Sequence, residues 1–137
     1  MAVKQINPQQ AYELLNNDKN AVLIDVRSSM EYMFVGHPDT AAHVAWIDDP
    51  DWEVNASFNE EVASYITHKS DLDPHQATVI LICRSGKRSL EAGNALIASG
   101  FKKVYNIDEG FEGEIDENHH RSSVGGWRFR GLPWVQC

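Results

Sequence analysis

Hydrophobic residues in this chain come in short bursts, and their spacing changes from one burst to the next. Thr78-Val79-Ile80-Leu81-Ile82 is an unbroken β-branched and apolar run, with the length and composition of a strand buried on both faces. Ala21 to Ile24 reads the same way, and shorter runs at Lys4 to Ile6, His43 to Trp46 and Lys103 to Asn106 predict further strands. Between them the period lengthens. Ala11, Leu14 and Leu15 recur at helical spacing after Asn7-Pro8-Gln9-Gln10, which offers an Asn N-cap, a Pro at the first helical position and a Gln at the third. That helix ends near the polar turn Asn16 to Asn20. Val62, Tyr65 and Ile66 form the inward stripe of a helix from about Asn59 to His68, and a short helix is expected around Ser29 to Phe34. Ser89 to Ser99 contains helix-forming Leu, Glu and Ala, and Gly100 supplies a stop.

Strands alternating with helices predict an α/β fold, a parallel sheet of about five strands with helices on both faces. A chain of 137 residues fits one domain, residues 1–137, able to build a core without disulfides. Repeats, low-complexity tracts and linkers are absent from the sequence, so no second domain is expected. At 42% hydrophobic the chain is neither disordered nor membranous. Met1 to Gln10 lack the apolar centre of a secretory signal, so a soluble cytoplasmic protein without membrane partners is expected. A formal charge of -8 argues against nucleic acid as a partner. The two cysteines, Cys83 and Cys137, form neither a disulfide framework nor a metal-ligand spacing. His119-His120 lies in a polar loop without a ligating partner at helical spacing, so no metal is expected.

Against that acidic background, Cys83-Arg84-Ser85-Gly86-Lys87-Arg88-Ser89 concentrates three of the twelve basic residues in seven positions. Cys83 falls between the apolar strand and the following helix. Ligands of open α/β sheets bind beyond the carboxyl ends of the strands, where the next helix directs unpaired N–H groups and partial positive charge. Such surroundings favour a thiolate over a thiol. Gly86 lets the backbone curl so that successive amides converge on the sulfur and on whatever it holds. A small buried cysteine ending a strand is the plainer alternative, but it requires neither the cations nor the glycine. Gly86-Lys87 resembles the end of a P-loop, yet the glycine that motif needs five residues earlier is Leu81. Cysteine phosphatases leave five residues between thiolate and arginine, a count that here reaches Ser89 instead of Arg88.

Cys83 to Arg88 resembles the catalytic loop of the rhodanese sulfurtransferases, a cysteine opening a six-residue cradle of the form Cys-Arg-x-Gly-x-Arg or Thr. Asp25-Val26-Arg27, Glu31-Tyr32, Gly36-His37 and Ala41-Ala42-His43-Val44 resemble the family's N-terminal block in order and spacing. Gly110-Phe111-Glu112-Gly113 and Gly126 to Trp134 are similar to the C-terminal block of bacterial single-domain members. The resemblance implies that Cys83 takes a sulfane sulfur from a small anionic donor such as thiosulfate and passes it, as a persulfide, to an acceptor that includes protein sulfur carriers. Arg84, Ser85, Gly86, Lys87, Arg88 and Ser89 would then bind the donor, without a cofactor. Two alternatives remain: a rhodanese-like module that carries sulfur or binds a partner without turnover, and, disfavoured by the short loop, a phosphatase or arsenate reductase.

Asp25 and Arg27 are expected to support the loop through hydrogen bonds instead of moving protons. Glu31 follows Arg27 by four residues, a spacing that permits an ion pair on a helix. His37 is read as a cap of its local turn. Trp127, Phe129 and Trp134 are expected to pack the C-terminal tail over the sheet edge. Asp48 to Asp51 and the acidic stretch Asp108 to Glu117 read as solvated loops; for the stretch from Val104 to Asn118, with six acidic residues and no basic one, a docking face for a basic partner is the sharper alternative. Cys137 is a terminal residue with no evident activating neighbour.

Overall fold

Alternating strands and helices place every crossover so that consecutive strands run the same way. In the computed structural model, which describes residues 2–137, β1 (Lys4–Ile6), β2 (Ala21–Asp25), β4 (Ala42–His43), β5 (Thr78–Ile82) and β6 (Lys103–Ile107) form one sheet in the order β1-β6-β5-β2-β4. Every pairing in it is parallel. The expected α/β architecture is therefore present as one five-stranded parallel sheet. Asp25 lies beside Ile82 in the register, so β2 and β5 release Arg27 and Cys83 at the same edge. β2 and β5 are buried at all five positions, which is why both read as unbroken apolar runs.

The two faces are covered differently. α2 (Phe58–Lys69) and α3 (Lys87–Ala98) place Phe58, Val62, Ile66, Ala92 and Leu96 in one core with Val22, Ile24, Val79 and Leu81. α1 (Pro8–Asn17) contributes Ala11 to the opposite core, where Leu23, Ile80, Ile82 and Ile107 meet Phe111, Trp127 and Leu132 of the non-helical C-terminal segment. The start of α1 is the expected reciprocal cap: the Gln10 amide donates to Asn7 Oδ1 at 2.8 Å and the Asn7 amide to Gln10 Oε1 at 2.9 Å. Such a cap stabilises a helix by about 1 kcal/mol.

Several boundaries differ from the sequence reading. β4 ends at His43, but the chain continues along β2: the Val44 amide donates to Asp25 O at 3.1 Å and the Trp46 amide to Val26 O at 2.9 Å. α3 begins at Lys87, two residues before the expected Ser89, because a left-handed Gly86 caps it directly. Lys87, Arg88 and Ser89 are thus its first turn. The short helix is a π-helical turn, Glu31–Val35. The aromatic tail covers a face of the sheet, not its edge: Trp127 is fully buried, donates its indole N–H to Pro133 O at 2.8 Å and meets Tyr12 edge-on. Phe129 stands exposed. Trp134 and Val135 form β7, which pairs antiparallel with β3 (His37–Pro38) in a ribbon that the short, mixed sequence did not signal.

Candidate active site

Cys83 follows directly on β5 and is 1% exposed. Two donors reach its sulfur: the Gly86 amide at 3.1 Å and the Ser89 hydroxyl at 3.2 Å. One amide, instead of the expected succession, points at Sγ, since the early start of α3 commits the next residues to helical geometry. The amides of Arg84 and Ser85 have no protein acceptor among the described residues, and those of the first helical turn have none within the helix. The mouth of the loop is therefore lined with unpaired N–H groups, the arrangement that receives an anion.

The backbone around the loop is fixed from behind. Gly86 has φ 99°, and a Cβ there would lie 2.3 Å from the Asp108 carbonyl oxygen, so the loop presses on the end of β6 where no side chain fits. The Phe111 amide donates to Cys83 O at 2.8 Å and the Glu112 amide to Arg84 O at 3.0 Å. Gly110 makes this approach possible, because at φ 67° its Cβ would lie 2.5 Å from the Arg84 backbone.

Behind Ser89 stands a residue that sequence reasoning missed. Asn106, on β6 and 1% exposed, donates from Nδ2 to Gln5 Oε1 at 2.8 Å and to Gly86 O at 3.0 Å. Its Oδ1 consequently faces the Ser89 hydroxyl. A hydroxyl carries one proton, so Ser89 donates either to Asn106 or to Cys83, and the choice follows the protonation of the sulfur. A lone Asn ending a strand gave no sign of this in the sequence.

Arg88 is engaged on its other side. Its guanidinium grips Glu31 with Nη1 at 2.7 Å from Oε1 and Nη2 at 3.0 Å from Oε2. Ser28 adds its hydroxyl, at 3.0 Å, and its amide, at 3.3 Å, to the same carboxylate. Burial raises the Glu31 carboxyl, but the hydrogen bonds and charge of Arg88, with those of Ser28, prevail and hold it at about 2. The hydrogen bonds that Arg88 donates to Glu31 raise its guanidinium above its usual range despite burial, and the charges of Glu31, Cys83 and Asp25 add to the effect. Glu31 thus pairs with Arg88, 57 positions away, and not with Arg27 as its spacing suggested.

Arg27 is fully buried and faces Asp25: Nε lies 3.0 Å from Oδ1 and Nη2 2.7 Å from Oδ2. Nη2 also donates to Gly36 O, and the guanidinium lies 4.6 Å from the centre of the Phe111 ring. Nη1 has no partner among the described residues. Through Phe111, whose amide holds the Cys83 carbonyl, the Asp25–Arg27 pair abuts the loop from β2. Arg84 and Lys87 are exposed and make no side-chain ion pair among the described residues, while Ser85 is partly buried. His37 caps locally, its Nδ1 2.8 Å from Tyr32 O. Asp48, read as part of a solvated loop, instead receives the Ser29 amide at 3.0 Å and the Ser29 hydroxyl. His119 and His120 are exposed.

Residues 7–115 match the family model described as the rhodanese-like domain. The chain belongs to the rhodanese family. The thiosulfate sulfurtransferase GlpE of Ectopseudomonas mendocina is 35% identical over 109 residues, 80% of this chain and 82% of that protein. The crystal structure of Rv0390 from M. tuberculosis superposes with a TM-score of 0.82 at 36% identity, covering 100% of both chains. The polysulfide-sulfur transferase homodimer of Wolinella succinogenes gives a TM-score of 0.60 at 26% identity, over 98% of this chain and 80% of that one. Among the described residues, no helix is long and apolar enough to cross a membrane.

Proposed function

We propose that the protein is a sulfurtransferase in which Cys83 carries the transferred sulfur as a persulfide. The observation that carries this reading is the pair of donors on Sγ, the Gly86 amide and the Ser89 hydroxyl, in a loop whose Arg84 and Ser85 amides have no protein acceptor among the described residues. The Cys83 thiolate attacks the outer sulfur of thiosulfate or of a persulfide donor. The donor's S–S bond breaks, and its electron pair departs on sulfite or on the donor thiolate. The new S–S bond is made from the Cys83 lone pair, so the step needs no outside oxidant or reductant. An acceptor nucleophile, such as cyanide, a thiolate or a protein sulfur carrier, then takes the outer sulfur and returns Cys83 to its thiolate.

Gly86 N–H and Ser89 O–H stabilise charge on the inner sulfur at both stages, and the amides of Arg84 and Ser85, without protein acceptors among the described residues, are free to bind the donor. Arg84 and Lys87, exposed at the rim, draw anions toward it. Phosphate-ester chemistry is less well served: Ser89 stands where a phosphatase carries its arginine, and it faces inward to Sγ. A thiol that must stay reduced suits the cytoplasm, where we place the protein. Thiosulfate-to-cyanide transfer measured beside phosphate-ester hydrolysis tests the reading. Activity in the first assay alone, abolished by Cys83→Ser in a folded protein, is the expected result, whereas full transfer by that variant would remove Cys83 from the reaction.

A further inference from the structure

Both guanidinium groups near the loop that are withdrawn from solvent are already committed to carboxylates. Arg27 is fully buried on Asp25. Arg88, 27% exposed, gives two hydrogen bonds to Glu31, itself 21% exposed and held by Ser28. The Glu31 carboxyl, at about 2, is ionised at any working pH. Each pair sums to zero charge. The cations that remain, Arg84 and Lys87, are exposed, where charge is strongly screened. The cluster of basic residues in the sequence therefore overstates the positive charge offered at the sulfur.

This weighs differently on the two donor classes. Thiosulfate brings two negative charges to an anionic sulfur and leaves as a dianion. An organic persulfide brings one, R–S–S⁻, and leaves as R–S⁻; the same S–S bond breaks and the charge is conserved in both cases. The helix terminus and unpaired amides suffice for a single charge, while a second one needs the full cation of Arg88. The residues beside Glu31 favour the organic donor for a separate reason: Met30, Met33 and Phe34 are 59%, 45% and 57% exposed on and just before the same π-helical turn. The turn that carries Glu31 thus leaves apolar side chains exposed, a surface that suits the carbon skeleton of a persulfide and offers nothing to an inorganic anion.

We infer that Glu31 is a specificity-determining residue which, by neutralising Arg88, makes this protein a persulfide-accepting sulfurtransferase in preference to a thiosulfate-accepting one. The inference rests on the sulfurtransferase reading above and concerns its donor.

The test is single-turnover loading of Cys83, followed by intact mass as one added sulfur atom, with thiosulfate and with glutathione persulfide as the two donors. The wild-type protein is expected to show a higher second-order rate with the persulfide. Glu31→Gln should raise the thiosulfate-to-persulfide rate ratio by about tenfold, the size of one recovered charge-assisted hydrogen bond, chiefly through thiosulfate KM. A wild-type preference for thiosulfate would overturn the inference without any variant, and so would a ratio unchanged in a folded Glu31→Gln protein. Failure of both donors to load the wild-type protein would instead overturn the sulfurtransferase reading itself.

Discussion

Ser89 shows how one proton is shared at this site. Its hydroxyl lies within reach of Cys83 Sγ, at 3.2 Å, and of Asn106 Oδ1. Ser89→Ala removes one of the two donors to a buried sulfur, and about 1.5–3 kcal/mol is typical for a hydrogen bond to a charged group. Transfer from thiosulfate or persulfide is therefore expected to fall by tenfold or more, measured as kcat/KM; an unchanged value would show that the hydroxyl serves Asn106 alone. Arg88→Ala follows a different course, because it leaves the Glu31 carboxylate unpaired beside the loop. The single variant should lose thiosulfate transfer, and Glu31→Gln combined with it should recover part of the loss. Strict additivity in this double-mutant cycle would mean that the two side chains act independently. At this scale the sequence was uneven. Cys83, Gly86 and Ser89 stood out because a cysteine, a glycine and several cations crowd seven positions, whereas Asn106 and the true partner of Glu31 arrive from distant strands and turns that no local spacing reveals.

Among the elements, the turn between β5 and α3 depends on what lies behind it. A Cβ at Gly86 would sit 2.3 Å from the Asp108 carbonyl, and the residue would have to hold φ 99°. Gly86→Ala is expected to destabilise the fold by roughly 1–3 kcal/mol through strain and to impair sulfur transfer more than stability alone explains. Chemical denaturation beside steady-state kinetics separates the two effects, and a variant with native stability and rate would contradict the packing described. The buried strands β2 and β5 were legible because continuous apolar runs of that length have few other fates, and the start of α1 because its cap is local in sequence. The β3–β7 ribbon was not, since His37–Pro38 and Trp134–Val135 are too short and mixed to show a period and their pairing joins distant parts of the chain. The boundary of α3 moved for a similar reason: a glycine N-cap without a side-chain hydrogen bond leaves no Ser, Thr or Asp signal at the true start.

For the whole molecule, the charge pairs that shape the site also set its response to acid. Glu31 titrates at about 2 in the folded protein against an ordinary 4.5, so its contribution is complete above the higher value and is lost as pH falls through the lower one. Burial raises the Asp48 carboxyl, but hydrogen bonds from Ser29 and Asp49 prevail and hold it at about 2; the same contact raises Asp49, so this pair partly cancels and Glu31 carries the effect. Thermal stability should therefore decline below about pH 4.5, as expected when paired carboxylates protonate, and Glu31→Gln should flatten that decline; an equal slope in both proteins would show that the pair adds no pH-dependent stability. The net charge of -8 was legible in the sequence, but only the folded arrangement shows how local carboxylates pair with the arginines around the loop. The central claim is that Cys83 carries sulfur. Peptide mass spectrometry after exposure to each sulfur donor measures this most directly: one added sulfur atom on the peptide containing Cys83, none on Cys137, and removal of that sulfur by cyanide are expected. An unmodified Cys83, or sulfur found only on Cys137, would contradict the account.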